Sequence, residues 1–196
     1  MSVERKPTVP HIELGNDMPG ILALFAYRQD TGAVLSELSE VLLRGPSPLS
    51  RGERELIGAY VSGLNGTRFC ANAHGAFAAA QLEGGESVVR SVLDQPTGAP
   101  VTARLRALLR IAAEVREEAG PVSAQALAAA RAEGADDREI HDTVLIAAAF
   151  CMFNRYVDGL ATDLPQDPGY YTEAAKVIVA HGYAMPQKPA EEALHA

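Results

Sequence analysis

The chain has 196 residues, with 17 Lys and Arg against 25 Asp and Glu, a formal charge of −8. Apart from the adjacent Arg5 and Lys6, its basic residues are scattered singly, which argues against nucleic acid or an anionic membrane as the main partner. Two cysteines, Cys70 and Cys151, exclude a disulfide scaffold. The longest apolar run, residues 144–153, falls far short of the roughly 20 residues that a membrane helix needs. The opening MSVERKPTVPHIELGND lacks the apolar stretch of a signal peptide, so a cytoplasmic location is expected.

Alanine occurs 34 times, tryptophan is absent, and 47% of the residues are apolar. Alanine loses no side-chain entropy in a helix. Apolar residues recur at helical spacing, as in Leu105, Leu108, Leu109, Ala112 and Val115. The composition predicts an all-α chain with a substantial core.

Residues 1–20 read as an irregular N-terminal arm lying on the domain or on a neighbouring subunit. Helices are predicted over about 20–29 and 32–43, broken near Asp30–Gly32 and stopped by Gly-Pro-Ser-Pro at 45–48. Ser50-Arg51-Gly52-Glu53 is a capping box opening a helix over about 51–64, and Asn65-Gly66 closes it. Thr67 is placed as the N-cap of the next helix, to about Leu82. A short helix over about 86–94 and a turn at Pro96–Pro100 follow. Helices are then expected over about 102–119 and, capped by Ser123, to Glu133. Asp136 and Glu139 form a second capping box for a long helix over about 137–158. Its apolar stretch Val144–Phe153 predicts the central buried helix of the bundle. A last helix over about 169–181 precedes a tail, 184–196, expected to be loose. The main domain is thus assigned to residues 21–183.

Residues 49–82 carry the chemistry. Cys70 falls in the first turn of its helix, where unpaired N–H groups and the helix dipole favour a thiolate. His74 lies four residues on, on the same face, so thiol and imidazole can share a proton. If the two flanking helices form an antiparallel hairpin about Gly66, Glu55 and His74 fall within roughly 5 Å of one level. Glu55 could then orient His74, with Tyr60 level with Cys70. Plainer alternatives stand beside this relay. Cys70 in an Ala-rich helix can be a small core residue, and Cys70, His74 and Glu55 could be three metal ligands, without the usual ligand spacing. Cys151 reads as core and His141 as a surface or interface residue. Asn154 and Arg155 are either an ordinary helix end or a polar pair facing the site. No cofactor site is indicated, since no strand precedes a Gly-rich phosphate loop.

The stretch GPSPLSRGERELIGAYVSGLNGTRFCANAHG resembles the alkyl hydroperoxidase D-like and carboxymuconolactone decarboxylase superfamily, especially its peroxidase-related branch. LFAYRQDTG and FNRYVDGLA extend the likeness over most of the chain. The resemblance implies an all-helical bundle assembled as a dimer, trimer or hexamer. It further implies Cys70 as the peroxide-attacking nucleophile, His74 as its base and Glu55 as relay partner. Where the family pattern has its first, resolving cysteine, this chain has Thr67. Either Cys70 works as a single peroxidatic cysteine reduced by an external thiol, or thiol cycling has been lost. Three functions follow: a thiol-dependent peroxidase, an acid–base catalyst of the decarboxylase type using Glu55 and His74, or a non-catalytic helical oligomer with a relic site.

Overall fold

The computed structural model describes residues 9–117, 120–167 and 169–183. Among these residues the chain is helical, with no strand. In order the helices are α1 (Ile21–Tyr27), α2 (Gln29–Arg44), α3 (Arg51–Asn65), α4 (Arg68–Ala79), α5 (Gly85–Asp94), α6 (Ala103–Glu117), α7 (Ala124–Ala132), α8 (Asp137–Gly159) and α9 (Tyr170–His181). A single 3₁₀ turn, Pro96–Gly98, joins α5 to α6.

Both capping boxes form. Ser50 Oγ accepts from the Glu53 amide and Glu53 Oε2 from the Ser50 amide, at 3.2 and 2.8 Å. Asp136 and Glu139 exchange the same bonds at 2.8 and 3.0 Å. Each satisfies amides that the first helical turn leaves without partners, contributing about 1 kcal/mol.

Three helices supply most of the core, with α2, α4, α5 and α7 adding to it. Leu56, Ile57 and Val61 of α3, Leu105, Leu108 and Leu109 of α6, and Ile146, Ala147 and Phe150 of α8 are all buried in one cluster. Gly58 permits a close approach of α8: a Cβ there would lie 2.4 Å from the Phe150 ring. The α3 and α4 helices form a hairpin about Gly66, and α9 packs on α4. Residues 9–20 lie on the body, with the His11 amide donating to Leu160 O at 3.0 Å and the Gly20 amide to Asp163 O at 2.9 Å. Of the expected arm and tail, residues 1–8 and 184–196 lie outside the described residues.

Three expectations are corrected. The break between the first two helices falls at Arg28, and Asp30 and Gly32 belong to α2. Asp30 pairs with Arg28 at 2.7 Å, and an acid in the first turn favours a helix start. The fourth helix stops at Ala79, before a turn in which Gly84 and Gly85 both have positive φ. The long helix α8 is not buried all round: Leu145 and Met152 are 41% and 44% exposed. α8 packs on α3, α6, α1 and α2, and its remaining stripe faces outward.

Candidate functional site

The capping box sets where α3 begins, and with it the inward direction of Glu55, which is 1% exposed. The hairpin brings α4 alongside. His74 Nδ1 and Glu55 Oε2 are 2.7 Å apart. An ionised carboxylate can only accept, so the bond is Nδ1–H donating to Glu55. Nε2 is then the nitrogen left for chemistry, and it has no hydrogen-bond partner among the described residues. The ring is braced edge-on by Phe150 at 4.6 Å and Phe77 at 5.3 Å between centroids.

Cys70 is buried beside Phe69 and Val157. Its thiol departs from the expected thiolate: burial pushes the pKa up to about 12, partly offset by a hydrogen bond with the Asn154 side chain. A helix N-terminus contributes about 0.3–1 kcal/mol to a nearby negative charge. Each pKa unit of desolvation costs about 1.4 kcal/mol, so burial wins. Cys70 rests as a thiol.

Cys70 and His74 open onto one cavity of about 280 Å³. Its walls are mainly Phe25, Phe69, Phe77, Phe150 and Phe153, with Met18 and Leu22 among the other lining residues. Among the described residues no Lys, Arg, Asp or Glu lines it; its polar groups besides Cys70 and His74 are Gln29, Ser36, Ser39, Tyr170 and Tyr183. A larger groove of about 840 Å³ runs along α4, α5 and α9 and contains neither Cys70 nor His74. It is open, and alanines and the charged Glu86, Arg90, Asp94 and Lys176 line it without a nucleophile or base of the predicted relay, so the smaller cavity is the site candidate.

The other predicted residues separate clearly. Asn154 faces inward, 1% exposed. Its Nδ2 donates to Ser62 Oγ at 3.0 Å and its Oδ1 accepts from Asn65 Nδ2 at 2.8 Å. Arg155 instead points outward and bonds Cys151 O within its own helix. Thr67 occupies the N-cap position of α4, but its hydroxyl makes no cap bond and donates to Asp158 Oδ2. Tyr60 is buried in the main core and shares no hydrogen bond with Cys70, His74 or Glu55. Cys151 is half-buried, 3.8 Å from Asn65 Nδ2, and both cysteines are free. His141 is exposed and pairs with Asp142 at 2.9 Å. The three-ligand alternative on Cys70, His74 and Glu55 is not assembled: among the described residues no such cluster could hold a metal ion.

Sequence reasoning missed Tyr183. It follows α9 by two residues, and its hydroxyl donates to Glu55 Oε1 at 2.6 Å. The only local signal is Gly182, a helix stop followed by an aromatic residue.

Residues 29–114 match the carboxymuconolactone decarboxylase family. An uncharacterised peroxidase-related protein from Silicibacter sp. superposes with a TM-score of 0.70 at 28% sequence identity, over 78% of each chain. The alkylhydroperoxidase AhpD core structure of an uncharacterised peroxidase-related protein from Ralstonia eutropha superposes with a TM-score of 0.72. That match covers 89% of this chain and 99% of the other at 23% identity, a likeness of fold. No curated protein matches the chain. The matched segment holds Glu55, Cys70 and His74, and the helical frame is common to both structures; over that segment the chain is similar to the carboxymuconolactone decarboxylase family, and in fold to peroxidase-related proteins with an alkylhydroperoxidase AhpD core.

Proposed function

We propose that this chain is a thiol-dependent peroxidase with Cys70 as its single peroxidatic cysteine. The observation that supports this best is the Glu55-held His74 opening onto the same apolar cavity as Cys70. Because burial keeps the thiol protonated, the nucleophile has to be made at the moment of reaction. His74 Nε2 takes the thiol proton while Glu55 stabilises the imidazolium. The thiolate attacks the terminal peroxide oxygen, the O–O bond breaks, and the departing alkoxide recovers the proton from His74 as an alcohol. Cys70 is left as a sulfenic acid. One external thiol condenses with it, releasing water and forming a mixed disulfide; a second thiol restores Cys70 and leaves as a disulfide.

The lining residues favour a neutral organic hydroperoxide. A carboxylated lactone would bring an anion into a wall that offers no cation among the described residues. Turnover of cumene hydroperoxide with a dithiol reductant tests the proposal. Cys70→Ser abolishes it and His74→Gln lowers kcat about a hundredfold. Full turnover in Cys70→Ser would reject the peroxidase; activity of Cys70→Ala on a lactone would establish the acid–base alternative.

A further inference from the structure

The end of α9 is held with unusual care for the last turn of a chain's outer helix. Arg44 Nη1 on α2 donates to the carbonyls of Ile178 and Val179 at 2.9 and 3.3 Å. Arg44 Nε also donates to Glu40 Oε1 at 3.2 Å, and Glu40 Oε2 accepts from the Tyr183 amide at 2.7 Å. Ser36 Oγ donates to the Tyr183 carbonyl. Between helix and tyrosine, Gly182 has φ 80 and ψ −164, and a Cβ there would lie 2.3 Å from Glu40 Oε2. Only glycine fits this turn. Its consequence is to send the Tyr183 side chain back into the protein.

There the ring stacks on His74, with centroids 6.1 Å apart and planes 19° from parallel, and meets Phe77 at 6.2 Å. The hydroxyl reaches Glu55 Oε1 at 2.6 Å and stands 3.4 Å from His74 Nδ1. Glu55 therefore accepts on both oxygens, from Tyr183 on one and His74 on the other. The two bonds fix the carboxylate plane, and with it the line along which Nδ1–H points. Burial beside Glu55 raises the Tyr183 pKa well above its ordinary value, so the hydroxyl keeps its proton and remains a donor. Glu40 and Arg44 from α2 are the other charged groups acting on it.

Building on the peroxidase reading of this site, we infer that Tyr183 is a positioning residue that sets the Glu55–His74 pair and so the direction of the catalytic imidazole. It acts through Glu55 rather than on the reacting sulfur, and its ring closes one wall of the substrate cavity. The role differs from simple anchoring of the end of α9. Anchoring runs through the backbone bonds to Glu40 and Ser36, which the side-chain hydroxyl does not share.

Tyr183→Phe tests this directly, because it keeps the ring, the Gly182 turn and both backbone bonds. The primary readout is the downfield Nδ1–H proton resonance of His74 in ¹⁵N-labelled protein, assigned by its loss in His74→Gln. In Tyr183→Phe this resonance shifts or broadens, and kcat with cumene hydroperoxide falls about tenfold with KM nearly unchanged. A folded Tyr183→Phe variant with an unaltered His74 resonance overturns the inference, whatever its turnover. If the wild type proves to have no peroxidase activity, the peroxidase reading fails while the resonance still decides the role of Tyr183.

Discussion

Cys70 joins two opposing effects at one atom. The start of α4 favours a thiolate, and the aromatic wall around the sulfur opposes it more strongly. A free thiol titrates near about 8.5, whereas Cys70 in the folded chain titrates near about 12. Between these values the unfolded chain has lost a proton that the folded chain keeps. Stability therefore falls as pH rises through this window, by up to about 1.4 kcal/mol per pH unit. Urea unfolding between about pH 8 and 10 should show wild type losing stability relative to Cys70→Ala; parallel curves would contradict the raised pKa. Thr67 allows a second test at this scale. Its hydroxyl bonds Asp158 rather than capping α4, so Thr67→Cys costs only about 1 kcal/mol. The introduced thiol lies three residues before Cys70 and is expected to close a disulfide with it after one peroxide turnover. Intact mass with and without reductant reads this, and a persisting sulfenic acid would show that the two sulfurs do not meet.

At the scale of helices, the site depends on where three elements begin and end. The capping box of α3 and the hairpin to α4 were legible because capping boxes and Asn-Gly stops are local chemistry, written within four residues. The same locality made the α3–α4 level argument workable, and Glu55 meets His74 at 2.7 Å. Tyr183 was not legible. It reaches a carboxylate 128 residues away, through a turn whose stringency comes from Glu40 and Arg44 on another helix. Asn154 was ambiguous for a related reason: only the facing of α8 separates it from Arg155, its outward-pointing neighbour. Gly182→Ala probes this element. A Cβ at φ 80 meets Glu40 Oε2, so the variant loses about 2 kcal/mol in thermal or urea unfolding. Cys70 oxidation should also slow as Tyr183 leaves Glu55. An unchanged unfolding midpoint would show that the α9 end is not held as described.

For the molecule as a whole, the helices divide into a frame and a cover. Nearly every residue from Gly52 to Ser62 in α3 is buried, while α9 buries only Ala175. Composition alone announced helices, and periodicity found α6 and its buried Leu105, Leu108 and Leu109. Neither could show that α8 would keep Leu145 and Met152 at the surface, since an apolar stretch does not report which neighbours cover it. Local opening follows burial. Amide hydrogen exchange is expected to be slowest in α3 and the inner face of α8 and faster in α9, which lies over the cavity. Equal protection across these helices would refute the division.

The proposed peroxidase requires that Cys70 attack peroxide while His74 removes its proton. Intact-mass analysis of the reduced protein after one equivalent of cumene hydroperoxide, with a sulfenic-acid trapping reagent present, measures this most directly. Rapid trapping at Cys70, absent in Cys70→Ser and slowed in His74→Gln, is the predicted result. A folded wild-type protein whose Cys70 remains unmodified would contradict it.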